Sequence, residues 1–144
     1  MAVINRLLTI IAISCLLAAC GTDDPNEIRM NPSDTGSFII QKPFPETLKD
    51  ISFAAGKCLA IPWTSPAYFD VNTDIDESAK FATLTWAYHR PGLLAMATEI
   101  KGIIDLKEIK GGTTEVKTIV WQNALFGVPL KDRVKEWAYG SKDC

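Results

Sequence analysis

The chain has 144 residues, which is the size of one domain with a single hydrophobic core. Hydrophobic residues make up 47% of it and charged residues 22%, a composition typical of a globular protein and not of a disordered one. The formal net charge is −2, and the Lys and Arg residues are scattered singly. The sequence therefore lacks the basic patch that nucleic-acid binding requires, and we expect no nucleic-acid partner.

The N-terminus has the three-part layout of a secretory signal peptide. Residues 1–6 form a short head with one positive charge, and residues 7–19 form an uncharged apolar run. A membrane-spanning helix needs about 20 apolar residues, so this run is too short for a permanent anchor. We predict that residues 1–19 are a signal peptide.

The apolar run ends in Leu17-Ala18-Ala19-Cys20, an aliphatic residue and two small residues before a cysteine. This motif resembles the lipobox of bacterial lipoproteins. The resemblance implies that Cys20 carries a diacylglyceryl group on sulfur, that the chain is cut before Cys20, and that the new N-terminus is acylated, with palmitate as the expected chain. Several acyl chains would hold the protein on a membrane without a spanning helix. An ordinary signal peptide with an incidental cysteine is the alternative.

Residue 21 bears on the destination of such a lipoprotein. It is Gly, where the retention signal of enteric bacteria has Asp. The resemblance therefore implies a location in the outer membrane, on its periplasmic face.

Processing would remove two of the four cysteines from the count. Cys15 lies in the discarded run and Cys20 would be lipidated, which leaves Cys58 and Cys144. In an oxidising compartment two remaining cysteines most simply pair, so we predict a disulfide between them. A buried thiol at Cys58 with a free thiol at the C-terminus is the alternative.

Residues 20–36 contain Pro, Gly and acidic residues but almost no apolar ones, which predicts a flexible tether to a domain at 37–144. A short β-like run follows at 37–41. The apolar residues of 44–59 then recur with the period of an amphipathic helix, with Pro45 in its first turn.

Residues 61–78 predict a loop, with a short strand around residues 68–71. Oxygen-bearing side chains alternate there as ligands do in a calcium loop, although the EF-hand pattern fails because Ile75 and Phe81 stand where Gly and Glu are required. We treat these residues as a weak calcium candidate and favour a solvated acidic turn. Trp63 of the same loop would suit a binding surface if it is exposed. The calcium candidates are Asp70, Asn72, Asp74 and Asp76.

Strands are predicted for most of the following segment. Period-2 alternation over 80–90 indicates a strand that ends at the turn residues 90–92. Residues 93–102 predict a second strand, with a helix as the alternative. The strands predicted at 103–110 and 114–122 flank Gly111-Gly112, which favours a hairpin.

A second amphipathic helix is predicted at 127–140, where Leu130, Val134 and Trp137 recur at helical spacing. The element order β-α-β-β-β-β-α predicts a two-layer α+β domain, with an antiparallel sheet of four or five strands and both helices on one face. This order resembles a reduced helix-grip or START-like domain. The position of Cys58 and the ending "WAYGSKDC" resemble small envelope lipoproteins of uncharacterised function.

The sequence offers little catalytic chemistry. His89 is the single histidine, and no serine lies in a Gly-x-Ser-x-Gly elbow, so we predict no catalytic residue, no cofactor and no zinc site. We expect a non-enzymatic lipoprotein that is anchored through Cys20 and binds a protein or another envelope component. The alternative is a carrier of a small apolar ligand, with a pocket between the sheet and the C-terminal helix.

Overall fold

The computed structural model describes residues 22–60, 66–92, 95–121 and 129–144. In chain order the elements of these residues are α1 (Pro25–Met30), β1 (Asp34–Ile40), α2 (Phe44–Cys58), β2 (Tyr68–Asp76), β3 (Phe81–Pro91), β4 (Met96–Lys110), β5 (Thr113–Val120) and α3 (Leu130–Ala138). The five strands form one antiparallel sheet in the order β1-β5-β4-β3-β2. The predicted α+β fold is confirmed, with one additional short helix in front.

The main core lies between one face of the sheet and the two longer helices. Leu84 of β3 and Ile104 of β4 are buried there together with Ile51 of α2 and Trp137 of α3. Burying each such side chain stabilises the fold by about 1.5–3 kcal/mol. The prediction that α2 and α3 share one face of the sheet is confirmed.

The opposite face is partly covered by α1. Ile28 of this helix is fully buried against Ile100, Ile103 and Ile119 of the sheet. The next residue, Arg29, forms an ion pair with an Oδ atom of Asp105 at 2.9 Å. The packing of Ile28 and the ion pair of Arg29 therefore both hold the N-terminal segment on the domain.

This arrangement corrects the predicted tether at 20–36 over its described part. Residues 22–36 carry α1 and the start of β1. Asp24 caps the helix by accepting a hydrogen bond from the Asn26 N–H at 2.8 Å, and Pro25 occupies the first helical position. A six-residue helix with a single buried residue shows no apolar periodicity, which is why the sequence pattern did not reveal it.

Strand β4 is continuous through the point where two strands were predicted to meet, between 93–102 and 103–110. Trp86 of β3 pairs with Gly102 and Ala87 pairs with Ile100, so Lys101 is an extra residue. Such a bulge interrupts the ladder without ending the strand.

The loop predicted at 61–78 is corrected over residues 72–76, and the short strand predicted around 68–71 is confirmed as part of a longer one. Residues 68–76 form the edge strand β2, which pairs along its whole length with β3. Phe69 and Val71 pack against the main core, whereas the acidic residues alternate with them. The alternation therefore belongs to a strand with one apolar face.

The predicted disulfide joins the two longer helices. Cys58 ends α2, Cys144 lies in the tail after α3, and the structure bonds their sulfur atoms, with the Cα atoms 5.2 Å apart. That separation is within the range for disulfides. The indole Nε1 of Trp137 also donates to the Asp143 carbonyl at 2.9 Å. The predicted pairing is confirmed, and the alternative of two free thiols does not hold.

Candidate functional site

An apolar groove of about 590 Å³ lies between the start of α2 and the end of the sheet that carries the β2–β3 and β4–β5 turns. We call it the distal groove. Its walls are mostly apolar, and its rim carries two basic and two acidic side chains. The groove is lined by Pro43, Phe44, Pro45, Leu48, Ile75, Lys49, Lys80, Glu77 and Glu108.

The helix-side wall is held by two buried threonines. Thr47 Oγ1 donates to the Pro43 carbonyl at 3.1 Å, and Thr114 Oγ1 donates to the Lys42 carbonyl at 2.8 Å. Both threonines are buried, so these hydrogen bonds are shielded from water. The connection from β1 into α2 is therefore fixed from the helix and from the sheet.

The sheet-side wall is Ile75, which lies on the edge strand β2 and remains 47% exposed. The rim beside it is set by Lys80, whose φ of 47° places it in the left-handed region that residues other than Gly rarely adopt. Two contacts hold this conformation: the ammonium of Lys80 pairs with Glu108 at 2.8 Å, and the Glu108 N–H donates to the Lys80 carbonyl at 3.0 Å.

The turn that carries Lys80 is organised by Asp76. The Ser78 hydroxyl donates to Oδ1 of Asp76 at 2.6 Å, and the Ala79 N–H donates to the same atom at 3.0 Å. The Ser78 hydroxyl and then the Ala79 N–H lower the pKa of Asp76 from its ordinary value, because both stabilise the ionised carboxylate. Asp76 is therefore a structural anion at neutral pH.

The groove is suited to binding. Its apolar walls favour an apolar group, and the balanced rim charges favour neither an anionic nor a cationic ligand. The groove lies beside α2, whereas the sequence analysis placed a pocket between the sheet and the C-terminal helix α3. At that predicted position the side chains of Val134, Trp137 and Ala138 are buried in the main core instead.

The calcium candidates do not converge in the structure. Asp70, Asn72, Asp74 and Asp76 lie along β2, where alternate residues are about 6.6 Å apart. Calcium requires oxygen atoms at about 2.3–2.6 Å from one point. Within the described ranges no group of three His, Cys, Asp or Glu side chains can hold a metal ion. The structure therefore does not support the weak calcium candidate, and the favoured acidic turn is corrected because residues 68–76 form strand β2.

Asp70, one of the calcium candidates, contacts the single histidine of the chain. An Oδ atom of Asp70 lies 3.0 Å from Nε2 of His89, and Nδ1 of the same ring lies 3.0 Å from Oγ1 of Thr98. Tyr68 stacks on the imidazole with ring centroids 4.6 Å apart. This row connects β2, β3 and β4 at one end of the sheet. The sequence analysis missed it because the row depends on the pairing register of three strands.

Other predicted features lie outside the described residues. These are the signal peptide at 1–19, the proposed lipidation site Cys20, and Trp63. In the part of the chain that the structure describes, no helix is long and apolar enough to cross a membrane. Comparison with known protein families, curated proteins and solved structures finds no match to this chain.

Proposed function

We propose that this chain is a lipid-anchored protein of the bacterial envelope whose periplasmic domain is non-catalytic and binds another envelope protein through the distal groove. The motif Leu17–Cys20 supports the anchor, and its resemblance to a lipobox implies the outer membrane. The observation that carries the binding function is the groove itself, a volume of about 590 Å³ with apolar walls on a small domain.

The form of the groove favours a protein partner. It opens to solvent beside Ile75, which is exposed on the edge strand, so an apolar side chain of a partner could enter while its backbone stayed outside. The four rim charges can pair with polar groups around that side chain. Aromatic and aliphatic anchors in such recesses supply most of the binding energy of many interfaces.

Crosslinking in intact cells tests both parts of the proposal. A photoreactive phenylalanine analogue at position 75 should crosslink to one envelope protein, whereas the same analogue at Tyr139, which is 67% exposed and does not line the groove, should not. The Cys20→Ser variant, which lacks the acylated sulfur, should leave the membrane fraction and lose the crosslink. Equal crosslinking from positions 75 and 139, or retention of Cys20→Ser on membranes, would contradict the corresponding part.

A small apolar ligand is the second candidate occupant. The groove volume is within the range of about 300–1,000 Å³ that ligand pockets occupy. In that case position 75 should yield an adduct of low mass instead of a crosslinked protein. Mass spectrometry of the irradiated chain separates the two outcomes.

A further inference from the structure

The structure fixes the point at which the N-terminal chain meets the sheet. The Thr22 carbonyl accepts a hydrogen bond from the Ile100 N–H at 2.9 Å, beside strand β4. Cys20 precedes Thr22 by two residues, so it lies at most about 7 Å from it, the length of two extended residues. Any acyl chain on Cys20 therefore enters the membrane close to Ile100.

The hairpin of β3 and β4 extends well beyond this point. After the pair Ala87–Ile100, four further residue pairs continue to Pro91–Met96, where the Gly92 N–H donates to the Ala95 carbonyl. Four pairs correspond to about 13 Å of strand. The hairpin tip thus reaches about 6 Å further along the strands than Cys20 can.

The composition of this tip suits a lipid surface. The sequence from Pro91 to Thr98 has no charged residue, and Met96 is 49% exposed to solvent. Exposed Arg90 precedes it, at the depth where a basic side chain can reach phosphate groups. Asp23 and Asp24 are exposed next to Thr22 and offset that charge, so attraction to anionic lipid is not the main contribution.

We propose that the β3–β4 hairpin end, residues 90–92 and 95–97, is a membrane-contacting surface that inserts into the interface of the bilayer holding the Cys20 acyl chains. This inference rests on the proposed acylation of Cys20. Insertion buries the exposed side chains of Met96 and Pro91. Because Cys20 lies only two residues before Thr22, the lipid anchor holds the hairpin tip at the bilayer, and contact requires no conformational change of the domain.

The same geometry directs the distal groove away from the membrane. Lys80 and Ile75 of the groove lie at the opposite end of β3, an eleven-residue strand about 36 Å long. A domain that stands on its hairpin therefore presents the groove to the periplasm. An envelope protein can reach the groove in this orientation without competing with lipid.

The test compares fluorescent labels at the two ends of the sheet. Met96→Cys and Ile109→Cys replace apolar residues of similar exposure, at the hairpin end and at the groove end respectively. An environment-sensitive NBD label is attached without reductant, so that the disulfide-bonded Cys58 and Cys144 do not react. The full acylated chain is then reconstituted into vesicles of phosphatidylethanolamine and phosphatidylglycerol, and Ala95→Cys serves as a second hairpin label.

The labels at positions 96 and 95 should show blue-shifted emission and lose most of their intensity with brominated lipids, and raising the salt concentration should not reverse this. The label at position 109 should emit as in water and be quenched by iodide instead. Hairpin labels that remain in water on a vesicle-bound chain would overturn the membrane contact while leaving the anchor intact. A chain that is not acylated and does not bind vesicles would overturn both the anchor and the contact.

Discussion

The turn beside the distal groove depends on one carboxylate. Asp76 accepts hydrogen bonds from the Ser78 hydroxyl and the Ala79 N–H, and these donors lower its pKa. A lowered carboxyl pKa contributes stability that is present above the unfolded pKa of about 3.9 and is lost as the pH falls through the folded pKa. Ser78→Ala should therefore raise the Asp76 pKa, and the stability difference from the parent chain should disappear in acid.

NMR titration of the Asp76 carboxyl carbon measures this effect, and urea unfolding at neutral and acidic pH measures its consequence for stability. Ser78→Thr retains the hydroxyl and should restore the lowered pKa. An unchanged Asp76 pKa in Ser78→Ala would show that the backbone donor alone is sufficient.

Individual residues also show where pattern analysis succeeds and where it fails. Cys58 and Cys144 could be paired from the sequence because the expected processing leaves only these two cysteines. Asp70 and His89 could not, because their contact depends on the register of β2 against β3. Ile75 was considered only as a mismatch to a calcium loop, whereas in the strand it forms one wall of the groove.

At the level of elements, α1 is the part of the fold that depends most on tertiary contacts. An isolated helix of six residues is unstable in water, so it forms because Ile28 is buried against the sheet. Ile28→Ala should destabilise the domain by about 2–4 kcal/mol, since it removes a fully buried aliphatic side chain. The Ile100 amide, which donates to Thr22, should then exchange its hydrogen faster.

Met30→Ala is the matched control, because Met30 lies on the same helix and is 71% exposed. It should change the free energy of unfolding by less than about 0.5 kcal/mol. Urea denaturation gives the free energies, and hydrogen-exchange NMR follows the Ile100 amide. Equal stability of the two variants would mean that α1 contributes nothing to the folded domain.

The longer elements were predictable because they repeat a pattern over several turns or pairs. Helices α2 and α3 and strand β5 follow their predicted segments closely, and β4 joins two segments that were predicted as separate strands. Edge strand β2 was difficult for a physical reason: its solvent face carries acidic residues, which are also typical of turns. Charged side chains on an edge strand hinder pairing with another sheet, so the same residues that obscured the strand protect it.

At the scale of the whole molecule, the two ends of the sheet have different surroundings. The tip of the β3–β4 hairpin occupies one end, with Thr22 about 13 Å back from it along the strands, and the distal groove occupies the other. Strand β3 spans about 36 Å between the hairpin tip and the groove. The helix layer that packs on the sheet is held at its C-terminal side by the disulfide.

The disulfide should therefore control the stability of the entire domain. Cys58 and Cys144 are 86 residues apart in sequence, and closing so long a loop in the unfolded chain contributes about 4–5 kcal/mol in the chain-entropy treatment. The double variant Cys58→Ser and Cys144→Ser should lower the urea midpoint accordingly and raise the m-value, because its unfolded state is less compact. In the parent chain, alkylation without reductant should label neither cysteine.

The tail provides the internal control for this prediction. The Trp137 indole donates to the Asp143 carbonyl and should continue to do so without the disulfide, so NMR spectra of the double variant should match the parent chain away from residues 141–144. A preserved fold with a lower urea midpoint would show that the disulfide stabilises the domain by restricting the unfolded chain. If reduction left both the midpoint and the m-value unchanged, the disulfide would have no part in holding the two helices together.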